Sequence, residues 1–402
     1  MRRLTIRFLF VTLLTMILLA FLTGCTQPVS TEEAAEPRAS VEPGAAEAPQ
    51  SIMGSSEEAA LSPEQDEDVA PALSPTTTPT TEPVTLNPLT GEVVDDPSAL
   101  TARPLLVSVS NFPISARPQA GLSLASQVWE TYIGEGMTRF LAVFYGDYAQ
   151  HLQEILDNRL AEGSGDGYVI GPVRSGRVVF EDIKTLFEGA ALITAGASSE
   201  VAEQLTSRVS VYGEDDGNIN STGVEVSDLT RVGEMTVDPE RYATLTFDET
   251  APEGGQPADF FRIVYNYYNQ VGWEYAPERG AYLRYQDTAD GTGELVPALE
   301  SLTGEQLAFD NVLVLWAQHR YVTPTIIEMQ LVYVWDQRGL LFRDGEIYPV
   351  LWSSRSGEFR VYDSDGQPVA LNPGSTFVEV VSWQSTWDPE AMVVRYHNPP
   401  MP

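Results

Sequence analysis

Cysteine, lysine and histidine are nearly absent from this chain of 402 residues, and each shortage excludes a class of chemistry. Cys25 is the only cysteine and Lys184 the only lysine, so we expect no internal disulfide and no cysteine-based metal site. The three histidines, His151, His319 and His397, lie far apart and have no second ligand at metal-binding spacing. The sequence therefore predicts neither a metal nor a cofactor.

Familiar catalytic motifs are missing as well. The sequence has no Gly-x-Ser-x-Gly nucleophile elbow and no Walker A phosphate loop. A Ser-His-Asp triad would have to use one of the three isolated histidines. Whether the protein is an enzyme is therefore left open.

Positive charge is also scarce. Lys and Arg number 23 against 57 Asp and Glu, which gives a formal net charge of −34 at pH 7. Such a field repels nucleic acid and anionic lipid surfaces. We therefore expect no nucleic-acid partner, and we interpret the acidity as a means of staying soluble outside the cell.

The first 24 residues have the pattern of an export signal. Arg2, Arg3 and Arg7 precede an apolar run over 8–21, which is shorter than the roughly 20 residues that a spanning helix needs. The run is followed by Leu-Thr-Gly-Cys at 22–25, which fits the bacterial lipobox. We expect a lipoprotein signal peptide over 1–24 and lipidation, including palmitate, of Cys25. The predicted location is extracytoplasmic, with the lipid on Cys25 anchoring the chain to the membrane.

Residues 25–85 are rich in Pro, Ala, Glu, Ser and Thr and contain almost no aromatic residues. A segment of this composition cannot bury enough apolar surface to offset its conformational entropy. We predict a disordered acidic tether that holds the folded part away from the membrane.

Residues 86–211 alternate between strand and helix patterns. Apolar, β-branched runs predict strands at 104–110, 139–145 and 190–194, and amphipathic spacing predicts helices at 123–133, 177–187 and 198–205. This alternation is typical of an α/β domain with a parallel or mixed sheet. The Gly-, Asp- and Asn-rich stretch over 212–237 is interpreted as an inter-domain connection.

Helical signals fade over 238–390, where short apolar runs are separated by turn signals such as Asp344-Gly345. The segment is predicted to be a β-rich, mostly antiparallel domain, followed by a tail over 391–402. The fold class expected for the whole chain is α+β, with an N-terminal α/β domain and a mostly antiparallel β domain. The strands are predicted at 260–268, 272–276, 281–286, 312–318, 325–335, 340–342, 347–352, 359–362 and 376–381.

Eight short segments after the tether form a recognisable ordered set. They are NPLTG at 87–91, ARPQAGLS at 116–123, EGMTRFLAVF at 135–144, IGPVRSGR at 170–177, GWEY at 272–275, YLR at 282–284, DNVLV at 310–314 and LNPGST at 371–376. Taken in order, these segments resemble the YerB-like family of bacterial lipoproteins, known as domain of unknown function 3048. The resemblance covers nearly all of the chain after the tether and implies a two-domain extracytoplasmic lipoprotein, with no established reaction.

Arginines are concentrated at loops and element ends of the first predicted domain, where open α/β sheets bind ligands. A helix start beside Ser175 adds backbone N–H groups that favour an anion. We predict a polar cleft for an anionic or hydroxyl-rich ligand, such as a cell-wall or other envelope molecule, with two carboxylates orienting the arginines. The candidate residues are Asn111, Arg117, Gln119, Glu130, Glu135, Arg139, Arg174, Ser175 and Arg177.

Two alternatives stay open. The same arginines and carboxylates are also typical of buried salt bridges that lock loops together. If Glu130 and Glu135 instead face a substrate, the protein is a cell-envelope hydrolase or transferase that acts on glycan or peptide. The tryptophans of the second half offer a sugar-stacking face, although we expect Trp316, Trp335 and Trp352 in the core and Trp383 and Trp387 at the surface.

Overall fold

Strands form most of the regular structure in the computed structural model, which describes residues 84–161, 168–212, 218, 220–233, 235–323 and 326–400. All of these residues fall within one compact unit, Pro79–Pro402. The predicted signal peptide, Cys25 and nearly all of the predicted tether lie outside the described residues. None of the described helices is long and apolar enough to cross a membrane.

The strands are numbered along the chain. They are β1 Leu105–Ser110, β2 Gln127–Gly134, β3 Met137–Phe144, β4 Ala191–Thr194, β5 Arg208–Ser210, β6 Gln256–Pro257, β7 Phe260–Asn266, β8 Asn269–Ala276, β9 Ala281–Asp287, β10 Leu295–Pro297, β11 Ala308–Phe309, β12 Asn311–Thr323, β13 Ile326–Gln330, β14 Gln337–Arg343, β15 Glu346–Ser353, β16 Arg360–Tyr362, β17 Thr376–Ser382, β18 Thr386–Asp388 and β19 Val393–Arg395.

Two mixed sheets contain these strands. The first sheet has the order β16-β15-β14-β12-β17-β2-β3-β1-β4-β5, with β13 paired to β12 and β6 to β15. The second has the order β10-β9-β8-β7-β19-β18, with β11 paired to β9. Most neighbours in both sheets are antiparallel, but β17 is parallel to both β12 and β2, and β4 is parallel to β1.

Strands from both predicted domains belong to the first sheet. The late strand β17 pairs with β2 in parallel, with Thr376 opposite Gln127 and Glu379 opposite Glu130. The α/β arrangement expected for residues 86–211 is therefore limited to the parallel strands β1, β4 and β5 and the helices that connect them. The fold is mostly β, with helices in a minority.

Four α-helices lie in the described residues: α1 Tyr148–Ala161, α2 Val178–Thr185, α3 Ser199–Ala202 and α4 Val226–Gly233. Helix α2 confirms the prediction over 177–187, because Val179, Phe180 and Ile183 bury one face of it. Helix α3 is shorter than predicted. Helix α1 occupies a polar stretch for which no element was predicted, and α4 lies within the segment expected to be a connection.

The helix predicted over 123–133 is wrong. A 3-10 turn at Leu122–Leu124 is followed by strand β2. This strand is buried on both faces, because Arg284 of the second sheet contacts Glu130 on one face and Phe359 packs against Trp129 on the other. A doubly buried strand has no alternation of apolar and polar residues, so its apolar positions also matched helical spacing. Its β-branched and aromatic residues, such as Val128, Trp129 and Thr131, are the strand signal that this interpretation overlooked.

The nine strands predicted after residue 238 agree well with the structure. The Asp344-Gly345 signal is the turn of the β14–β15 hairpin, and both residues have positive φ values of 54° and 76°. The predicted strands over 260–268 and 272–276 are one hairpin, β7–β8.

Aromatic side chains fill the space between the sheets. The ring of Phe261 on β7 stacks on that of Phe342 on β14 with centroids 3.6 Å apart, and Trp273 on β8 lies 4.8 Å from Phe377 on β17. Burying a side chain of this size contributes about 2 to 3 kcal/mol. These contacts hold the second sheet against the middle of the first.

The tryptophan predictions are confirmed except for two. Trp316 and Trp352 are buried and Trp383 is exposed, as expected. Trp335 is exposed rather than buried, because it lies in the connection between β13 and β14 instead of within a strand. Trp387 is half-buried and packs against Phe342.

Candidate functional site

One group of predicted residues lies at the carboxyl ends of the parallel strands β1 and β4. The loop that leads into helix α2 crosses these ends, because the N–H of Arg174 donates to the Ser108 carbonyl and its own carbonyl accepts from Ala195. Arg139, near the start of β3, reaches the same edge because it is paired with Ser110 at the end of β1. Strand ends of this kind are where open sheets place ligands.

Two guanidinium groups meet at Ser175, and a third lies beside Ser110. Nη1 of Arg139 donates to the Ser175 carbonyl at 2.9 Å and to Oγ at 3.3 Å, and Nη1 of Arg177 donates to the same Oγ at 3.0 Å. Nε of Arg174 donates to Oγ of Ser110 at 3.1 Å. We call Arg139, Arg174 and Arg177 the arginine cluster.

The arginine cluster has no carboxylate partner in the part of the chain that the structure describes. None of the observed salt bridges includes Arg139, Arg174 or Arg177. Burial lowers the pKa of all three, and the charges of Arg177 and Arg174 lower the pKa of Arg139 further. Nε of Arg139 and Nε of Arg177 are buried and have no hydrogen-bond partner among the described residues.

Helix α2 begins directly beside this cluster. Arg177 is its N-cap residue and makes no side-chain cap to the first turn. The unsatisfied N–H groups of a helix N-terminus carry partial positive charge. Together with Arg139, which is only 6% exposed, they create a local excess of positive charge, and such a setting favours anions.

A second group of predicted residues belongs to a buried network instead. Glu130 is fully buried, and its Oε1 accepts from Nδ2 of Asn111 at 3.2 Å and from Oγ1 of Thr138. Nε of Arg117 donates to the carbonyl and Oδ1 of Asn111 at 3.2 Å, and its Nη1 donates to the Asp287 carbonyl at 2.8 Å. Burial, with the nearby charge of Arg284, lowers the pKa of Arg117 to about 10.

The partner of Glu130 is Arg284 on β9, a residue that the sequence analysis did not single out. The two form a salt bridge of 2.6 Å and are exposed by no more than 1%. The guanidinium also lies 5.1 Å from the ring centroid of Phe140 and 5.2 Å from that of Phe377. This pair therefore joins the first sheet to the second through the core.

Glu379 on β17 lies beside this pair and was also missed. Its Oε1 accepts from Nε1 of Trp273 at 3.0 Å and its Oε2 from the hydroxyl of Tyr265 at 2.8 Å. Burial and the negative charge of Glu130 raise the pKa of Glu379 to about 8. A charged residue within the apolar strand Phe-Val-Glu-Val-Val was a sequence signal for a buried carboxyl group. We call Glu130, Arg284 and Glu379 the buried charge network.

The remaining two predicted residues lie apart from both groups. Gln119 is buried, donates to the Ser110 carbonyl at 3.0 Å and accepts from the N–H of Ser301 at 2.7 Å, so it ties a loop to the sheet. Glu135 is exposed in the β2–β3 turn with φ of 53°, and no described hydrogen bond or ion pair uses its side chain. Neither Glu130 nor Glu135 joins the arginine cluster.

The described residues contain no group of three or more His, Cys, Asp and Glu side chains placed to hold a metal ion. His319 is buried, and burial lowers its pKa to about 4, so it stays neutral. His151 and His397 are exposed at separate places.

Comparisons with known proteins match nearly the whole described chain. The model of the "Protein of unknown function (DUF3048) N-terminal domain" matches residues 89–246, and the corresponding C-terminal domain matches residues 261–378. The Bacillus subtilis (strain 168) protein described as "Putative lipoprotein YerB" is 26% identical over 315 residues, which cover 73% of this chain and 85% of that protein. The crystal structure of YerB from Bacillus subtilis superposes with a TM-score of 0.57 at 22% identity and covers 74% of this chain and 96% of that one.

Proposed function

Because the chain belongs to the DUF3048 family, whose two domain models together match more than half of it, we propose that it is a lipoprotein of the cell envelope whose arginine cluster binds an anionic group. The proposed lipid on Cys25 anchors it to the membrane, and the proposed tether carries the folded part away from the surface. The description of the relative YerB as a lipoprotein supports this location.

The observation that carries the proposal is the absence of a counter-charge at the arginine cluster. The chain has 57 acidic residues, yet none of those described forms an ion pair with Arg139, Arg174 or Arg177. Buried charges are normally paired, because an unpaired one loses its hydration without compensation. A bound anion supplies the missing partner.

The number of cations favours a ligand with more than one negative charge. Guanidinium groups bind phosphate and carboxylate oxygens through paired N–H donors. Three of them at one helix start match a phosphate dianion better than a single carboxylate. We therefore take a phosphate group carried by an envelope molecule as the expected ligand.

The test uses the full chain in detergent and titrates it with inorganic phosphate, with acetate as a singly charged comparison. We expect phosphate to raise the unfolding free energy by about 2.7 kcal/mol at a hundredfold excess over its Kd, and acetate to have a much smaller effect. Arg174→Gln and Arg177→Gln should remove most of this stabilisation. Thermal and urea unfolding measure the effect.

Arg241→Gln is the matched control, because Arg241 is an exposed arginine of the same half that pairs with Glu188. It should leave the phosphate effect unchanged. Equal phosphate stabilisation of the wild type and both cluster variants would contradict the proposed site.

The alternative, an envelope hydrolase or transferase, has less support. Glu130 is fully buried against Arg284, and Glu135 lies in an exposed turn. A proton donor must come within hydrogen-bond distance of the substrate. The two carboxylates that motivated this alternative do not provide such a donor beside the arginine cluster.

A further inference from the structure

A groove on the outer face of the second sheet has the features of a separate binding site. It encloses about 580 Å³ and runs along β7 and β19. Its walls combine aromatic and basic side chains, among them Phe260, Arg262, Tyr267, Arg395 and His397. It shares no residue with the arginine cluster, so it is independent of the function proposed above.

The two arginines of the groove lie on the same face of the sheet. In the parallel pairing of β7 and β19, Arg262 is opposite Val393 and Arg395 is opposite Val264, so the two arginines are diagonal neighbours. Nη1 of Arg262 donates to Gln270 at 3.1 Å, and neither arginine forms a described ion pair. Both are available to an incoming anion.

The lining of the groove contains no acidic residue among those described, although the chain has 57 of them. Asp388 is paired opposite Val393 and Glu274 opposite Phe260, but neither of them lines the groove. The charged residues of the lining itself are therefore arginines, and such a patch attracts anions.

Exposed aromatic rings stand at the two ends of β7. Tyr267 is 66% exposed and Phe260 is 42% exposed, and the strand between them spans roughly 20 Å at 3.3 Å per residue. The turn that carries Tyr267 is held firmly, because Asn266 packs against Gly136, where a Cβ atom would lie 1.3 Å from its Nδ2. Rigid exposed rings are typical of binding surfaces.

Strand β7, which forms the floor of the groove, is hydrogen-bonded to neighbouring strands along both edges. Strand β7 is paired with β8 on one side and with β19 on the other, so it offers no free edge to an added peptide strand. A ligand must be recognised by side chains alone. Flat rings at the ends and guanidinium groups between them suit a chain of sugar rings that carry carboxylates.

From this juxtaposition we propose that the groove binds an acidic polysaccharide, with sugar rings stacked on Tyr267 and Phe260 and carboxylates paired with Arg262 and Arg395. Paired N–H donors of an arginine match the two oxygens of a carboxylate. An extended chain of sugars fits an open groove of this length better than a compact small molecule does.

The test is calorimetric titration of the full chain in detergent with short oligomers of galacturonic acid. Neutral oligomers of galactose and a short polyglutamate serve as comparison probes. We expect galacturonate to bind, with an affinity that falls as salt is added, and the two comparison probes to bind at least about tenfold more weakly.

Two groove variants and one control locate the binding. The Arg262→Gln/Arg395→Gln double variant should weaken galacturonate binding at least about tenfold, and Tyr267→Ala about threefold or more. Arg360→Gln changes an exposed arginine on the first sheet and should leave the affinity unchanged. Circular dichroism checks that each variant is folded.

Three outcomes overturn the proposal. The first is that galacturonate fails to bind the wild type. The second is that binding persists unchanged in the folded double variant. The third is that polyglutamate binds as tightly with the same dependence on Arg262 and Arg395, which would assign the groove to an acidic peptide.

Discussion

The buried charge network and the arginine cluster both place arginines beside the first sheet, but only one of them supplies the opposite charge. Arg284 is enclosed by the two sheets and pairs with Glu130 at 2.6 Å, with Glu379 next to it. Arg139, 6% exposed, has two other arginines as its charged neighbours. The first arrangement contains its own counter-charge, whereas no described carboxylate pairs with the arginines of the second.

This difference separates a structural role from a binding role. Substituting either partner of a buried ion pair lowers the stability of the fold, because the remaining charge is left buried and unpaired. An uncompensated group of like charges at the edge of a sheet gains little from the fold itself. If the arginine cluster binds an anion, as we propose, substitutions there should affect ligand binding more than stability.

The largest expected effect comes from Arg284→Met, which leaves Glu130 buried without its cation. We expect a loss of about 3 to 5 kcal/mol in the free energy of unfolding. Urea unfolding of the full chain measures it. Arg279→Met is the control, because Arg279 pairs with Glu305 at the surface and should change stability by less than about 1 kcal/mol. A loss below 1 kcal/mol for Arg284→Met would show that the buried pair does not hold the sheets together.

Glu379→Gln should have an intermediate effect that depends on pH. Because the folded state raises the pKa of Glu379 from 4.5 to about 8, the folded protein holds a proton that the unfolded chain releases between these values. Stability contributed by this group therefore falls as pH rises through that window. The variant should flatten this dependence and be more stable than the wild type at pH 9, by on the order of a few kcal/mol. Parallel stability curves for the two proteins between pH 5 and pH 9 would contradict the assignment.

Arg177→Gln should have the smallest effect on stability. It removes one of three like charges and keeps a side chain able to hydrogen-bond Ser175, so we expect a change of less than about 1 kcal/mol in phosphate-free buffer. Urea unfolding at low salt checks this. A loss above 2 kcal/mol would place the arginine cluster with the buried charge network as part of the framework.

Local signals predicted the second half of the fold well and the first half less well. Turn residues such as Asp344 and Gly345 define hairpins between strands that are neighbours in sequence, so pattern and pairing coincide. The pairing of β2 with β17 joins residues 127 and 376, and no local pattern encodes a contact over such a separation. The second sheet and Phe359 cover the two opposite faces of β2, and this burial on both sides removed the alternation that would have identified β2 as a strand.

The candidate site was predicted in part for a similar reason. Arg174, Ser175 and Arg177 are near neighbours in sequence at a helix start, and a local rule about anion binding is enough to group them. Glu130 was expected beside the arginines of the first half, but its partner Arg284 lies more than 150 residues later. The packing of the two sheets determines which charged residues meet in the core. The sequence indicates only individual buried charges, such as the glutamate within β17.

The position of β17 also limits the order in which the two halves of the chain can fold. Until this late strand is synthesised, the edge of β2 that pairs with it has unpaired backbone N–H and C=O groups. Unpaired apolar edges favour association between chains, and contacts between distant segments form slowly. The N-terminal half can therefore finish folding only after the C-terminal half has been made, and the chain is most prone to aggregation during that interval.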